Sequence, residues 1–221
     1  MKTKFAVIVF PGSNCDHDAY YALKKIVGVD VEFIWHRESN LKDHTAILIP
    51  GGFSYGDYLR TGAIARFSPI MKSVINCAKK GKPVIGICNG FQILLECGLL
   101  PGALINNQNI KFLSKTVTLQ VASNESMFSN KLNIGDTIKM PIAHKQGNYI
   151  ANKETLKQLE DQNRIIFKYK NNPNGSLMNI AGIINSNGNV LGMMPHPERA
   201  CDTILGSNDG KIIFESMLGS C

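Results

Sequence analysis

Short apolar runs alternate with segments of helical periodicity through the first hundred residues. Residues 5–10 read as a buried strand that runs into the loop Pro11-Gly12-Ser13-Asn14. Residues 18–27 carry apolar side chains at helical spacing, and residues 31–35 read as a second strand. A third run, Ala46-Ile47-Leu48-Ile49, ends in Pro50-Gly51-Gly52. Residues 68–79 predict a helix with Pro69 in its first turn, where a missing N–H costs little. Residues 83–87 predict a fourth strand and 89–99 the helix after it. This β-loop-α alternation predicts an α/β fold with a mostly parallel central sheet and helices on both faces.

The pattern changes after Pro101. Residues 116–121, 137–142, 164–169 and 180–185 predict strands joined by turns, with turn signals at Asn172-Pro173-Asn174-Gly175 and Asn187-Gly188. A short polar helix is expected over 153–162, a strand over 190–194, and a closing helix over 211–218. A smaller antiparallel section is therefore expected in the second half. No repeat, low-complexity stretch or linker divides the chain, so residues 1–221 are expected to form a single domain.

Composition narrows the class. The 221 residues are 44% hydrophobic and 19% charged, as in an ordinary soluble protein. No apolar run approaches the roughly 20 residues that span a bilayer. The basic start followed by residues 5–10 resembles a signal peptide only superficially, since the run is short and ends in Pro11-Gly12. A cytoplasmic protein with no membrane contact is expected. The 6 cysteines form neither a CxxC pair nor a zinc spacing, and most are expected to be small buried hydrophobes in a reducing compartment, with no metal. The net charge of +7 comes from scattered lysines without an Arg-rich aromatic stripe, so no nucleic-acid partner is expected.

Two segments carry the chemistry. In Gly86-Ile87-Cys88-Asn89-Gly90 a cysteine stands between a strand and a helix, and the flanking glycines permit a sharp turn of the nucleophile-elbow type. Cys88 then lies at the carboxyl end of a parallel strand, beside a helix N-terminus whose N–H groups favour thiolate. In Met194-Pro195-His196-Pro197-Glu198-Arg199 a histidine and a carboxylate lie two positions apart. An extended chain, which proline favours for the residue before it, would put both side chains on one side. Nucleophile, base and orienting acid together make a thiol acyl-transfer site. The Gly-rich loop after the third strand could lend a backbone N–H that, with the N–H of Asn89, would form an oxyanion hole. It is neither a phosphate-binding P-loop nor a GxGxxG turn. Chemistry alone reaches cleavage or transfer of an amide through a thioester, and leaves the amide open.

These residues resemble the class I glutamine amidotransferases, with their Cys-His-Glu triad and flavodoxin-like fold. Within that family the chain is most similar to the glutaminase subunits of phosphoribosylformylglycinamidine synthases. The likeness rests on Phe10-Pro11-Gly12-Ser13-Asn14-Cys15-Asp16, on Gly51 through Arg60 (Gly-Gly-Phe-Ser-Tyr-Gly-Asp-Tyr-Leu-Arg), on Cys88-Asn89-Gly90-Phe91-Gln92-Ile93-Leu94 and on the His196 segment. It implies L-glutamine as amide donor, Cys88 as nucleophile, His196 as base and Glu198 as its orienter. It also implies backbone N–H groups from Gly52 and Asn89, and Phe53 and Gln92 at the glutamine pocket. The family's ammonia passes to a large synthetase subunit that uses ATP and Mg2+ to convert formylglycinamide ribonucleotide to its amidine, with a small third subunit bridging the two. No cofactor is implied for this chain itself. One departure stands out: after Pro141-Ile142-Ala143-His144, the family's Gly-Glu-Gly is here Lys145-Gln146-Gly147, which bears on subunit contact or pocket closure. His144 reads as a site-lining or interface residue.

Three other readings stay open on the residues alone. A stand-alone cysteine amidohydrolase or peptidase would account for the elbow, though not for the His196 segment or the Gly51 loop. A non-catalytic regulatory module would be expected to lack Cys88 or His196. A glutaminase could also serve a different synthetase.

Overall fold

The computed structural model describes residues 3–60 and 62–219; Met1, Lys2, Thr61, Ser220 and Cys221, the last of the six cysteines, lie outside them. The sheet begins with β1 (Lys4–Val9), β2 (Asp30–Trp35), β3 (Ala46–Ile49) and β4 (Val84–Ile87). Its second-half strands are β6 (Leu113–Val121), β7 (Thr137–His144), β9 (Ile165–Tyr169), β10 (Ile180–Ile184) and β11 (Val190–Met193). Together they form one nine-stranded sheet in the order β2-β1-β3-β4-β11-β10-β9-β6-β7. The first five in that order pair in parallel, and the rest pair antiparallel.

The parallel block has the order of a flavodoxin-like sheet, with β11 in the fifth place. Every residue of β3, β4, β10 and β11 is buried, as their unbroken apolar runs require. The helices are α1 (Asp16–Tyr21), α2 (Pro69–Lys79), α3 (Asn89–Glu96), α4 (Lys153–Asp161) and α5 (Lys211–Leu218). α3 lies against β3, β4 and β11, and α1 against β1. The loops after β1, β3, β4 and β11 therefore leave the same edge of the sheet, where such folds bind their ligands.

Most expected elements are present within one or two residues, and three differences have local causes. The helix expected over 18–27 starts at Asp16 and changes to a π-helix over Ala22–Val27. There the Leu23 carbonyl accepts from both Gly28 and Val29. α3 stops at Glu96 because Gly98 turns left-handed, at φ 68°. β5 (Ala103–Ile105) and β8 (Asn148–Ile150), which the pattern did not predict, pair as a separate two-stranded sheet. No helix among the described residues is long and apolar enough to cross a membrane.

Candidate active site

Sterics build the elbow. Cys88 joins β4 to α3 at φ 50° and ψ −104°, a region that costs a side-chain-bearing residue about 1–3 kcal/mol. The chain can turn this tightly because its neighbours lack side chains. A Cβ on Gly86 would lie 2.7 Å from the Gly90 carbonyl carbon, and one on Gly90 would lie 2.0 Å from the Ile49 carbonyl oxygen. The Cys88 N–H donates to the Met193 carbonyl at 2.8 Å, tying the nucleophile to the strand that leads to His196. Its thiol reaches the Ala143 carbonyl at 3.8 Å. As the first residue of α3, Asn89 has an N–H with no partner inside the helix.

His196 and Glu198 are 1% and 3% exposed, and Nδ1 of His196 donates to Oε1 of Glu198 at 2.7 Å. The expected pairing is thus present, but its backbone route differs. Only His196 is extended; Pro197–Arg199 form a single 3-10 turn, closed by the Arg199 N–H on the His196 carbonyl at 3.2 Å. Proline at the first position of that turn sets φ for it. Burial disfavours the His196 cation. The Glu198 charge beside it and the thiols of Cys15 and Cys88 outweigh that, and hold the imidazole pKa well above its ordinary value. Among the described residues Nε2 has no hydrogen-bond partner, which leaves it for a reacting group.

Cys15 is the residue the pattern understated. Expected to be one buried cysteine among several, it is buried and also lies at the His196 imidazole, with its donor atom within 4.8 Å of those of His196 and Glu198. Burial pushes its thiol pKa up, against the pull of His196 and of the Arg199 guanidinium, whose Nη2 lies 3.3 Å from the sulfur. That fixed positive charge already lies against one of the three side chains that would have to hold a cation here. Gly51 is the other understated residue. A Cβ there would lie 2.7 Å from His196 Cε1 and 3.4 Å from Cys88 Cβ, so only glycine lets the β3 loop pass between nucleophile and base.

A cavity of about 250 Å³ opens over the thiol, lined by Gly52, Phe53, Asp57, Cys88, Gln92 and His144 among others. The Asn89 side chain sits beneath its wall. Its Oδ1 accepts from the Ser54 N–H at 3.2 Å and from the Ser54 hydroxyl, while Nδ2 donates to Asp57 Oδ1 and Gln92 Oε1, both at 3.2 Å. Gln92 Nε2 donates to the Gln146 carbonyl at 2.7 Å. That contact is to backbone, so an amide in place of the family's carboxylate at 146 leaves it intact. His144 Nδ1 donates to Asn107 Oδ1 at 3.0 Å. Burial, then the charge of His196, depresses the His144 pKa to about 4. It is therefore neutral at pH 7, with Nε2 a bare acceptor.

Of the site residues expected from sequence, Gly52, Phe53, Cys88 and Gln92 line one cavity. Asn89 supports its wall through Ser54, Asp57 and Gln92, and the His196–Glu198 pair is buried beside Cys88, across Gly51. Ser54, Asp57, Cys15 and Gly51 join them. Three of those four lie inside the quoted Gly51–Arg60 loop, and the fourth within the first loop motif, but neither motif assigns them a task.

Comparison with known proteins agrees with this geometry. A solved structure described as PurLQS from Thermotoga maritima is 44% identical, with 100% of this chain and 99% of that chain covered and a TM-score of 0.92. A glutamine amidotransferase from Thermotoga maritima matches at TM-score 0.63 and 15% identity, over 100% of this chain and 98% of that one, which speaks for the fold. Residues 2–211 match the model of the CobB/CobQ-like glutamine amidotransferase domain. With a thiol elbow and its imidazole–carboxylate pair at the carboxyl edge of the sheet, and with that match over nearly its whole length, this chain belongs to the glutamine amidotransferase family.

Proposed function

We propose that this chain is the glutaminase subunit of a phosphoribosylformylglycinamidine synthase. It hydrolyses L-glutamine to glutamate and ammonia, and the ammonia goes to a synthetase subunit of the same complex. The observation that carries the reading is the Cys88 thiol at the cavity with the buried His196–Glu198 pair beside it, in a chain similar from end to end to the solved PurLQS structure. Residues 1–221 act as one amidotransferase domain.

The Cys88 thiolate attacks the glutamine Cδ carbon. The carbonyl oxygen takes the negative charge beside the N–H groups of Asn89 and Gly52. His196, held protonated by Glu198, gives its proton to the leaving nitrogen as the C–N bond breaks, releasing ammonia and leaving a thioester. The now neutral imidazole removes a proton from water, which attacks the thioester and frees glutamate and the thiolate. Phe53 and Gln92 border the substrate. A large synthetase, joined through a small bridging subunit, supplies the ATP- and Mg2+-dependent step in the cytoplasm.

The test measures glutamate release from L-glutamine by the purified chain, alone and with synthetase and bridging subunits. We expect release that rises with the partners, and loss of at least about 1,000-fold in Cys88→Ala, whose circular dichroism stays unchanged. Glutamate release retained in that variant refutes the assignment. Amide cleavage indifferent to any ATP-using partner favours a stand-alone amidohydrolase.

A further inference from the structure

The cavity wall holds two charged side chains, Asp57 and the exposed Lys145. One charge of each sign suits the zwitterionic end of a free α-amino acid. Asp57 has further properties of a receptor. It sits at φ 53°, in the left-handed region, where the loop around Tyr55 and Gly56 also runs left-handed. It makes no ion pair among the described residues. Its one described hydrogen bond is from Asn89 Nδ2 to Oδ1, which leaves Oδ2 for a ligand. Asn89 holds Gln92 with the same nitrogen, so the residue that begins the nucleophile helix also aims this carboxylate. Burial pushes the Asp57 pKa up to about 6, against the pull of Asn89, as for a carboxylate that lacks its counter-ion.

We infer that Asp57 is the specificity residue of this site, receiving the substrate's α-ammonium at the cavity wall while the carboxamide lies at Cys88. This rests on glutamine being the substrate. The backbone and hydrogen bonds support the role physically. Asn89 fixes the direction of Oδ1, and the positive φ fixes the side chain's exit from the loop. An ammonium meeting a partly desolvated carboxylate forms a charge-assisted hydrogen bond, stronger than a neutral one. The thiol chemistry itself needs no α-ammonium. Selection of a free amino acid over other primary amides therefore falls to this carboxylate.

The test compares L-glutamine with glutaramate, the same amide with hydrogen in place of the α-ammonium. The parent should favour L-glutamine by about 10- to 100-fold in kcat/KM, chiefly through KM. Asp57→Asn is isosteric, keeps an oxygen for Asn89 and tolerates positive φ. It should raise KM for glutamine, leave glutaramate unchanged, and bring the two substrates within about 3-fold. A structural role would weaken both substrates equally and preserve the ratio, which overturns the inference. If Asp57→Asn is too slow to assay, calorimetric binding of both compounds to Cys88→Ala and to Cys88→Ala/Asp57→Asn decides on the same ratio. Hydrolysis of neither compound by the parent with its partners overturns the glutaminase reading itself. Hydrolysis of glutamine with an unaltered preference in Asp57→Asn overturns only the role of Asp57.

Discussion

The two ends of the sheet are built for different work. In the parallel block, strands such as β3 and β4 are buried throughout and their loops interlock. The Phe53 N–H donates to the Gly12 carbonyl at 3.1 Å and the Tyr55 N–H to Pro11 at 2.6 Å. In the antiparallel block, β6 and β7 alternate between exposed and buried positions, as in a sheet with one wetted face. Backbone precision is concentrated where four loops must meet around one thiol. In the second half of the chain the turns at Gly135, Gly188 and Gly206 have open space, where an added Cβ would meet nothing within 4 Å. The blocks are not independent: β7 lies four places from β11 in sheet order, yet its Pro141 carbonyl accepts the His196 N–H at 2.9 Å.

The sharpest way to break this contrast is to add a methyl group at the elbow. In Gly90→Ala the new Cβ would stand 2.0 Å from the Ile49 carbonyl oxygen, a backbone atom that moves only if β3 or α3 moves. We expect about 3 kcal/mol or more of destabilisation, read from the urea midpoint, with loss of glutaminase activity. Stability within about 0.5 kcal/mol of the parent would show that the loops of the parallel block are not tightly interlocked.

The contrast is sharpened by His144, the buried residue that ends β7 at the site. Its pKa falls from 6.5 to about 4 on folding. Between those values the unfolded chain binds a proton that the folded chain refuses, so this contribution to stability is present above pH 6.5 and lost as pH falls toward 4. At pH 5 the loss is about 2 kcal/mol. The stability advantage of the parent over His144→Gln, measured by urea unfolding, should shrink by about that amount between pH 7 and pH 5. An equal gap at both pH values would mean that His144 takes up its proton in the folded protein.

Legibility in the sequence follows the same division. β3, β4 and the elbow were readable because a buried parallel strand writes an unbroken apolar run, and because Gly86, Cys88 and Gly90 lie within five residues. The pairing of β5 with β8 was not, since three-residue strands carry no period. The π-helical turn at Ala22–Val27 was hidden because its apolar spacing also suits an α-helix. Cys15 and Asp57 became part of the site only through contacts made at long range in sequence: Cys15 through Arg199 and the His196 imidazole, Asp57 through Asn89. A carboxylate in a turn has a solvated face as its ordinary explanation, and only the cavity gives it another. Pro197 was correctly read as bringing His196 and Glu198 together, but it did so by starting a turn rather than extending the chain.

The smallest expected effect lies in the turn between β10 and β11. Gly188 has φ 73°, and a Cβ there would meet nothing within 4 Å. Its only barrier to a side chain is the left-handed backbone, which costs an L-residue about 1–2 kcal/mol, partly repaid because alanine also stiffens the unfolded chain. Gly188→Ala should therefore lose about 1 kcal/mol in urea unfolding and keep its glutaminase kinetics. The backbone penalty at Gly188 needs no neighbour to enforce it, whereas the penalty at Gly90 comes from a neighbour's carbonyl. If the Gly188 variant lost activity, strain would be passing from an open turn through β11 to His196, and the two blocks would share one mechanical unit.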